Sequence, residues 1–250
     1  MQPFATYPSL AEKRVFITGG ASGIGAAMVQ AFHDQGARVM FVDVSRPAGE
    51  ALAAACPGSI FRPCDVTDSV DLQAAVREAG DRFGGLSVLI NNVANDTRHA
   101  AATLPAEAWR SALAVNLDPT FLAAQAAYPF LQAAGGGAII NFSSITALLG
   151  NPDLPAYVAA KGAVIALTKS LARAWGGENI RVNAICPGWV ITERQLTLWL
   201  TPEAEAAWMD QVALKTRIQA DDVARLALFL AADDSAMITG QNLVIDGGRT

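Results

Sequence analysis

The chain has 250 residues, of which 52% are apolar and 16% charged, and its 18 basic and 23 acidic residues give a formal charge of −5. That length fits one domain around one sizeable core. The composition excludes a disordered chain, a basic track for nucleic acid and, because the apolar runs are short and interrupted, a membrane-spanning helix.

Short β-branched runs alternate with longer Ala/Leu-rich amphipathic stretches. RVFIT (14–18) predicts a strand, 24–35 a helix, and RVMFVD (38–43) a second strand. A helix over 48–55 and a strand over 59–66 follow, then a helix over 69–83 with Asp68 as its cap. SVLINNVA (87–94) predicts a fourth strand, Pro105 to Val115 begins a long helical region, and a further helix runs through about Leu131. GGGAIINFSS (135–144) predicts a fifth strand, 157–175 a helix, and IRVNAICPG (180–188) a sixth strand. A helix over 220–231 and a strand over 242–248 close the series. Strands alternating with helices imply βαβ units with right-handed crossovers, hence an α/β fold with a doubly wound parallel sheet covered on both faces. No internal repeat or linker divides the chain, so one domain is expected over 1–250. The stretch 192–218 breaks the alternation and follows a strand's C-terminal end, which makes it a candidate substrate lid.

The opening stretch, MQPFATYPSLAEKR, lacks a long apolar segment, so no secretory leader is expected. Cys56, Cys64 and Cys186 are an odd number without C-x-x-C spacing, which favours buried reduced thiols and a cytoplasmic protein. No His/Cys/carboxylate cluster has metal-ligand spacing.

Between the first strand and the first helix lies TGGASGIG (18–25), with Gly19, Gly23 and Gly25 spaced G-x-x-x-G-x-G. Glycine permits positive φ and close approach of the backbone to a pyrophosphate, whose charge faces the helix N-terminus. Asp43 ends the second strand, where a carboxylate accepts from ribose hydroxyls and repels a 2′-phosphate. Ser22 is neutral where a basic residue would favour that phosphate. Both point to NAD; Arg46 is near enough to allow NADP as a poorer substitute. Asp43 as a loop cap is the alternative. Asp65 and Val66, after the third strand, are placed to meet the adenine edge, with a helix-initiating acid as the competing reading of Asp65.

Tyr157 and Lys161 are four apart in YVAAK, so they share one helix face. A phenol of pKa about 10 is a poor base near neutrality. A nearby cation stabilises the phenolate, and the pair then takes a proton from an alcohol.

With TGGASGIG, NNVA (91–94), Asn116, Ser144, YVAAK and PGWVIT (187–192), the chain resembles the short-chain dehydrogenase/reductases over essentially its whole length. The resemblance implies a seven-stranded Rossmann sheet, a nicotinamide cofactor and, often, a homotetramer. It makes Ser144 the catalytic serine, in preference to Ser143, and gives Asn116 the support of a helix bulge and a proton-relay water. Lys161 would bind the nicotinamide ribose and depress the Tyr157 pKa. Gly19, Ser22, Gly23, Ile24 and Gly25 would cradle the cofactor. Asn92 and Ala94 would line its ribose region, and Pro187, Gly188, Ile191 and Thr192 would lie along its carboxamide and phosphates. Val93-Ala94 departs from the family's usual Ala-Gly and adds a methyl group beside the cofactor.

A narrower resemblance, carried by NVANDTRH (92–99), PGWVITERQ (187–195) and LWLTPE (198–203), is to the sugar 1-dehydrogenases of this family. It implies oxidation of an aldose such as L-arabinose, D-galactose, L-fucose or D-xylose to its lactone. A pyranose needs hydrogen-bonding partners for its hydroxyls and an apolar wall for its C–H face. Asn95, Thr146, Asn151, Trp189, Gln195 and Trp199, with Ser144 and Tyr157, are candidates for those contacts. Arg98 and His99 are as well read as loop ties, and Trp199 and Trp208 as interface or lid-core residues. The rival substrates are a 3-oxoacyl thioester, a steroid or a polyol. A non-catalytic nucleotide sensor has no need of all four of Asn116, Ser144, Tyr157 and Lys161.

Overall fold

The computed structural model describes residues 5–250. The first four residues of the opening stretch, and of the domain expected over 1–250, lie outside the described residues. Seven parallel strands form one sheet: β1 (Arg14–Thr18), β2 (Arg38–Asp43), β3 (Ile60–Pro63), β4 (Val88–Asn91), β5 (Gly137–Phe142), β6 (Ile180–Pro187) and, last in the chain, β9 (Asn242–Ile245). Their spatial order is β3-β2-β1-β4-β5-β6-β9, which reverses direction between β1 and β4. Ligands of such sheets gather at that switch point, outside the strands' C-terminal ends.

Helices cover both faces because the strands are apolar on both sides. Phe16 and Ile17, successive on β1, are each fully buried, and their side chains point to opposite faces. Ile17 belongs to the core packed under α1 (Gly23–Asp34) and α10 (Ala220–Ala231). Phe16 belongs to the core under α3 (Ser69–Phe83), α5 (Asp118–Ala133) and α7 (Pro155–Trp175). At the start of α3, Asp68 caps as expected, accepting the N–H groups of Val70 and Asp71 at 3.0 Å each. The helix α2 (Arg46–Ala55) flanks the β3 edge.

The differences from the sequence reading lie at element ends and in one insertion. The strand expected over 59–66 stops at Pro63, because Asp65 Oδ1 accepts from the Thr67 N–H at 2.9 Å and turns the chain. The strand expected over 242–248 stops at Ile245, where Asp246 draws the following backbone into a hook: its carboxylate accepts from Gly248 and Thr250 N–H at 2.8 Å each. The helical region begun at Pro105 and the further helix expected after it are α4 (Ala106–Asn116) and α5, which meet at Leu117. The candidate lid holds α8 (Glu193–Leu198) and α9 (Pro202–Gln211), capped by Thr192 and Thr201. A short pairing of β7 (Val190–Ile191) with β8 (Ile218–Gln219) fastens its base, and α6 (Thr146–Leu149) follows β5.

Candidate active site

The segments leaving the C-terminal ends of β4, β5 and β6 meet around a cavity of about 530 Å³. β5 delivers Ser144 and α7 delivers Tyr157 and Lys161 to the same wall. Ile24, Asn92, Ala94 and the Pro187-Gly188 turn bound the cavity on the glycine-loop side. Thr146, Asn151, Trp189 and Gln195 also line it, and Thr192 lies against Gly23 of the glycine loop. Sequence reasoning placed all of these at the site, and the fold brings them together.

The local chemistry separates the two serines. Ser143 donates its hydroxyl to the Lys161 carbonyl at 2.8 Å, a tie between β5 and α7. Ser144 Oγ accepts from the Thr146 N–H at 3.2 Å and the Thr146 hydroxyl at 3.0 Å, and its hydroxyl acts to lower the Tyr157 phenol's pKa. Thr146 therefore orients Ser144. Asn116, 1% exposed, fixes the backbone of Asn95 in both directions: its Oδ1 accepts from the Asn95 N–H at 2.8 Å and its Nδ2 donates to the Asn95 carbonyl at 3.0 Å. A further bond from Nδ2 to the Ala112 carbonyl, 2.9 Å, accompanies the break after α4. Asn116 shapes the site from behind and does not line it.

In the Tyr–Lys pair the phenol lies above its ordinary value and the ammonium below. Burial pushes Tyr157 above its ordinary value, the Asp96 carboxylate adds to the rise, and the Ser144 hydroxyl opposes it. Burial also brings the Lys161 ammonium down to about 8. Lys161 Nζ donates to the Phe142 carbonyl at 2.8 Å and stands 5.6 Å from the Tyr157 ring centroid. Burial is the largest cause of the shift in both groups.

The glycine turn is built for close backbone approach. Gly19 has φ +65°, and a Cβ at Gly25 would overlap the Gly19 carbonyl oxygen. Gly23, at φ +52°, faces the Thr192 side chain. Asn92 Nδ2 donates to the Thr18 and Gly19 carbonyls at 3.2 and 3.0 Å and holds the turn open above the sheet. Such a cradle, opening α1 with Ser22 at its N-cap, fits a dinucleotide pyrophosphate. Asp43 stands beside it and ties it: Oδ2 accepts from the Ala21 N–H at 3.1 Å and Oδ1 from the Ser45 N–H at 2.9 Å. The loop-tying role is thus present, and the carboxylate remains at the cradle's edge. Asp65 is exposed and Val66 buried.

Two expectations for the outer wall and one for the cofactor side fall outside the cavity lining. Asn95 does not line the cavity; its Oδ1 accepts from Thr97 and Arg194 instead. Ile191 lies outside it, paired in β7. Trp199 is also outside, beneath the Arg98 guanidinium at 4.3 Å. Trp199 ends the six-residue α8, and the turn into α9 brings Trp208 to the wall in its place, edge-on to Trp189 at 5.7 Å. Sequence reasoning did not assign Asp96, Arg98, Arg194, Trp208 or Arg249 to the wall. Asp96 joins two segments: it accepts from Arg194 Nε at 3.1 Å and Gln195 Nε2 at 2.8 Å, and Gln195 Oε1 accepts from the Trp189 indole at 2.7 Å. Asp96 and Arg194 lie inside the strings NDTRH and TERQ, so their signal was already in the sequence.

A family model described as enoyl-(acyl carrier protein) reductase matches residues 19–250. The chain is 47% identical to a Rhizobium meliloti protein named probable galactose dehydrogenase GalD, over 98% of each chain. It is 42% identical to a D-xylose 1-dehydrogenase of Caulobacter vibrioides, over 98% of each, and 39% identical to a D-threitol dehydrogenase of Mycolicibacterium smegmatis, over 95% and 93%. A crystal structure of a Sinorhizobium meliloti protein assigned to the short-chain alcohol dehydrogenases superposes with TM-score 0.90 at 28% identity, covering 97% and 98%. The chain belongs to the short-chain dehydrogenase/reductase family, as a nicotinamide-dependent oxidoreductase acting on CH–OH groups.

Proposed function

We propose that the protein oxidises an aldose at C1 to its lactone, with NAD as preferred cofactor. The observation that carries this reading is one cavity that joins Ser144, Tyr157 and Lys161 to a wall of Trp189, Trp208 and hydrogen-bonding side chains. The apolar rings suit a pyranose C–H face, while Thr146, Asn151 and Gln195 suit its hydroxyls. The galactose and xylose dehydrogenases among its relatives support a sugar. When bound, the nicotinamide supplies the acceptor for the hydride from C1. Tyr157, as phenolate, takes the C1 hydroxyl proton, and Ser144 holds the same oxygen. Lys161 keeps the end of β5 in register with α7 and adds positive charge beside the phenol. The glycine turn, Asn92 and Thr192 would hold the cofactor, and Asp43 would accept from its adenine ribose and repel a 2′-phosphate.

Initial rates on a panel of D- and L-aldoses, polyols and hydroxysteroids, with NAD and with NADP, test this. Fast NAD reduction on aldoses sharing a C2–C4 configuration supports it. Silence on every sugar with activity on another alcohol discards the substrate. In Asp43→Ala the NAD preference should relax, and an unchanged preference counts against the role of Asp43. The homotetramer that the resemblance implies, and the cytoplasmic location that the cysteines favour, are also part of this reading; light scattering should give four times the chain's 26.1 kDa.

A further inference from the structure

Four cationic side chains reach the cavity wall: Arg98, Lys161, Arg194 and Arg249. Three have evident occupations. Arg194 pairs with Asp96, Lys161 donates to the Phe142 carbonyl, and Arg98 covers the Trp199 ring. Arg249 differs. Its guanidinium carbon lies 5.8 Å from the centroid of the Trp208 ring, and its Nε is buried without a hydrogen-bond partner. No acidic side chain lies within ion-pair distance of it among the described residues.

The backbone that carries Arg249 is held firmly. Asp246, 5% exposed, accepts from the Gly248 and Thr250 N–H groups at 2.8 Å and from the Thr250 hydroxyl at 3.0 Å. Gly247 and Gly248 take left-handed φ values of 71° and 81°, which close this hook after β9. Gly188, on the cavity floor, lies against the Asp246 backbone where a Cβ would crowd it. The hook is thus seated on the site itself, and it points a rigidly based guanidinium at the wall that Trp208 forms. A buried donor lacking an acceptor is costly unless a bound group supplies one.

We propose that Arg249 is a specificity-determining residue, donating to an acceptor oxygen that the sugar carries away from C1 while Trp208 backs the ring's C–H face. This rests on the aldose reading of the site. The oxygen belongs to a ring or side-chain hydroxyl, or to the carboxylate of a uronate. Both offer lone pairs to the guanidinium fork.

The test compares wild type, Arg249→Met and Arg249→Lys on the best aldose, its single-deoxy analogues and its uronate, with KM for NAD measured alongside. Arg249→Met should raise KM for the parent sugar by about ten- to a hundredfold and leave KM for NAD and kcat nearly unchanged. One deoxy analogue, already poor with wild type, should lose little more, because it lacks the oxygen that Arg249 reads. Arg249→Lys should fall between, keeping charge without the fork. If the uronate is the better wild-type substrate and suffers the larger loss, the acceptor is a carboxylate; if the parent does, it is a hydroxyl. An equal loss on every analogue, or none, overturns the role of Arg249 and leaves the aldose reading standing. A wild type silent on every aldose and uronate overturns both.

Discussion

Asp96 adds to the proton affinity that burial gives the Tyr157 base. Its carboxylate helps hold the Tyr157 phenol protonated, after the larger effect of burial. Oxidation needs the phenolate, so the rate should climb as pH rises toward the phenol's raised pKa. Removing the anion stabilises the phenolate, so Asp96→Asn should move the rising limb of log kcat/KM to lower pH. Asparagine keeps an acceptor for Gln195 or Arg194, which limits collateral loss. A pH profile with the limb unmoved would show that Asp96 only fastens α8 to the loop after β4. Tyr157→Phe should reduce kcat by about 10²–10⁴-fold while NAD still binds, measured by turnover and by cofactor titration. Retained turnover in that variant would remove Tyr157 from the chemistry. Tyr157 and Lys161 were legible because helical spacing alone puts them on one face. The raised phenol was not, because it depends on Asp96, which is 61 positions away in sequence and arrives through the loop packing.

At the scale of elements, the cradle rests on a close approach of backbone to backbone. The Gly25 Cα faces the Gly19 carbonyl with no room for a Cβ, and neither backbone can yield without unseating the Asn92 bonds to Thr18 and Gly19. Gly25→Ala should therefore raise KM for the nicotinamide cofactor by an order of magnitude or more, roughly the effect of lost near-contact positioning, with the fold retained by circular dichroism. An unchanged cofactor KM would mean that the turn relaxes freely. Every strand of the main sheet and most helices were legible, because strands buried on both faces read as short continuous apolar runs and the helices between them as amphipathic stretches. Strand ends were overrun where side chains, Asp65 and Asp246, capture the backbone, a local competition that hydropathy does not register. The two lid helices were missed because each is short and unburied, although Thr192 and Thr201, three residues before the N–H groups they accept, carried the capping signal.

Across the whole molecule, the three cysteines report on how the core is closed. Cys56 and Cys186 are fully buried and Cys64 is 4% exposed. They sit in different regions: Cys56 under the α1 face, Cys64 beneath α3, and Cys186 in the last turn of β6 behind the catalytic wall. Burial raises all three thiols; Cys64, with its Asp71 bond adding to the effect, is pushed up to about 12. The thiolate is the reactive form, so both access and ionisation suppress attack. The sequence, with an odd count and no paired spacing, already favoured reduced buried thiols, but could not say that each lies in a separate part of the core. A chromogenic thiol reagent at pH 8 should therefore find no fast-reacting cysteine in the native protein, and three after denaturation. Because each site needs its own part of the sheet to open, the three rates below the unfolding midpoint should approach one another as global unfolding takes over. A single fast thiol in the native state would identify a region that opens on its own. If that thiol were Cys186, the opening would lie directly behind Ser143 and Lys161, and cofactor binding should then slow its modification.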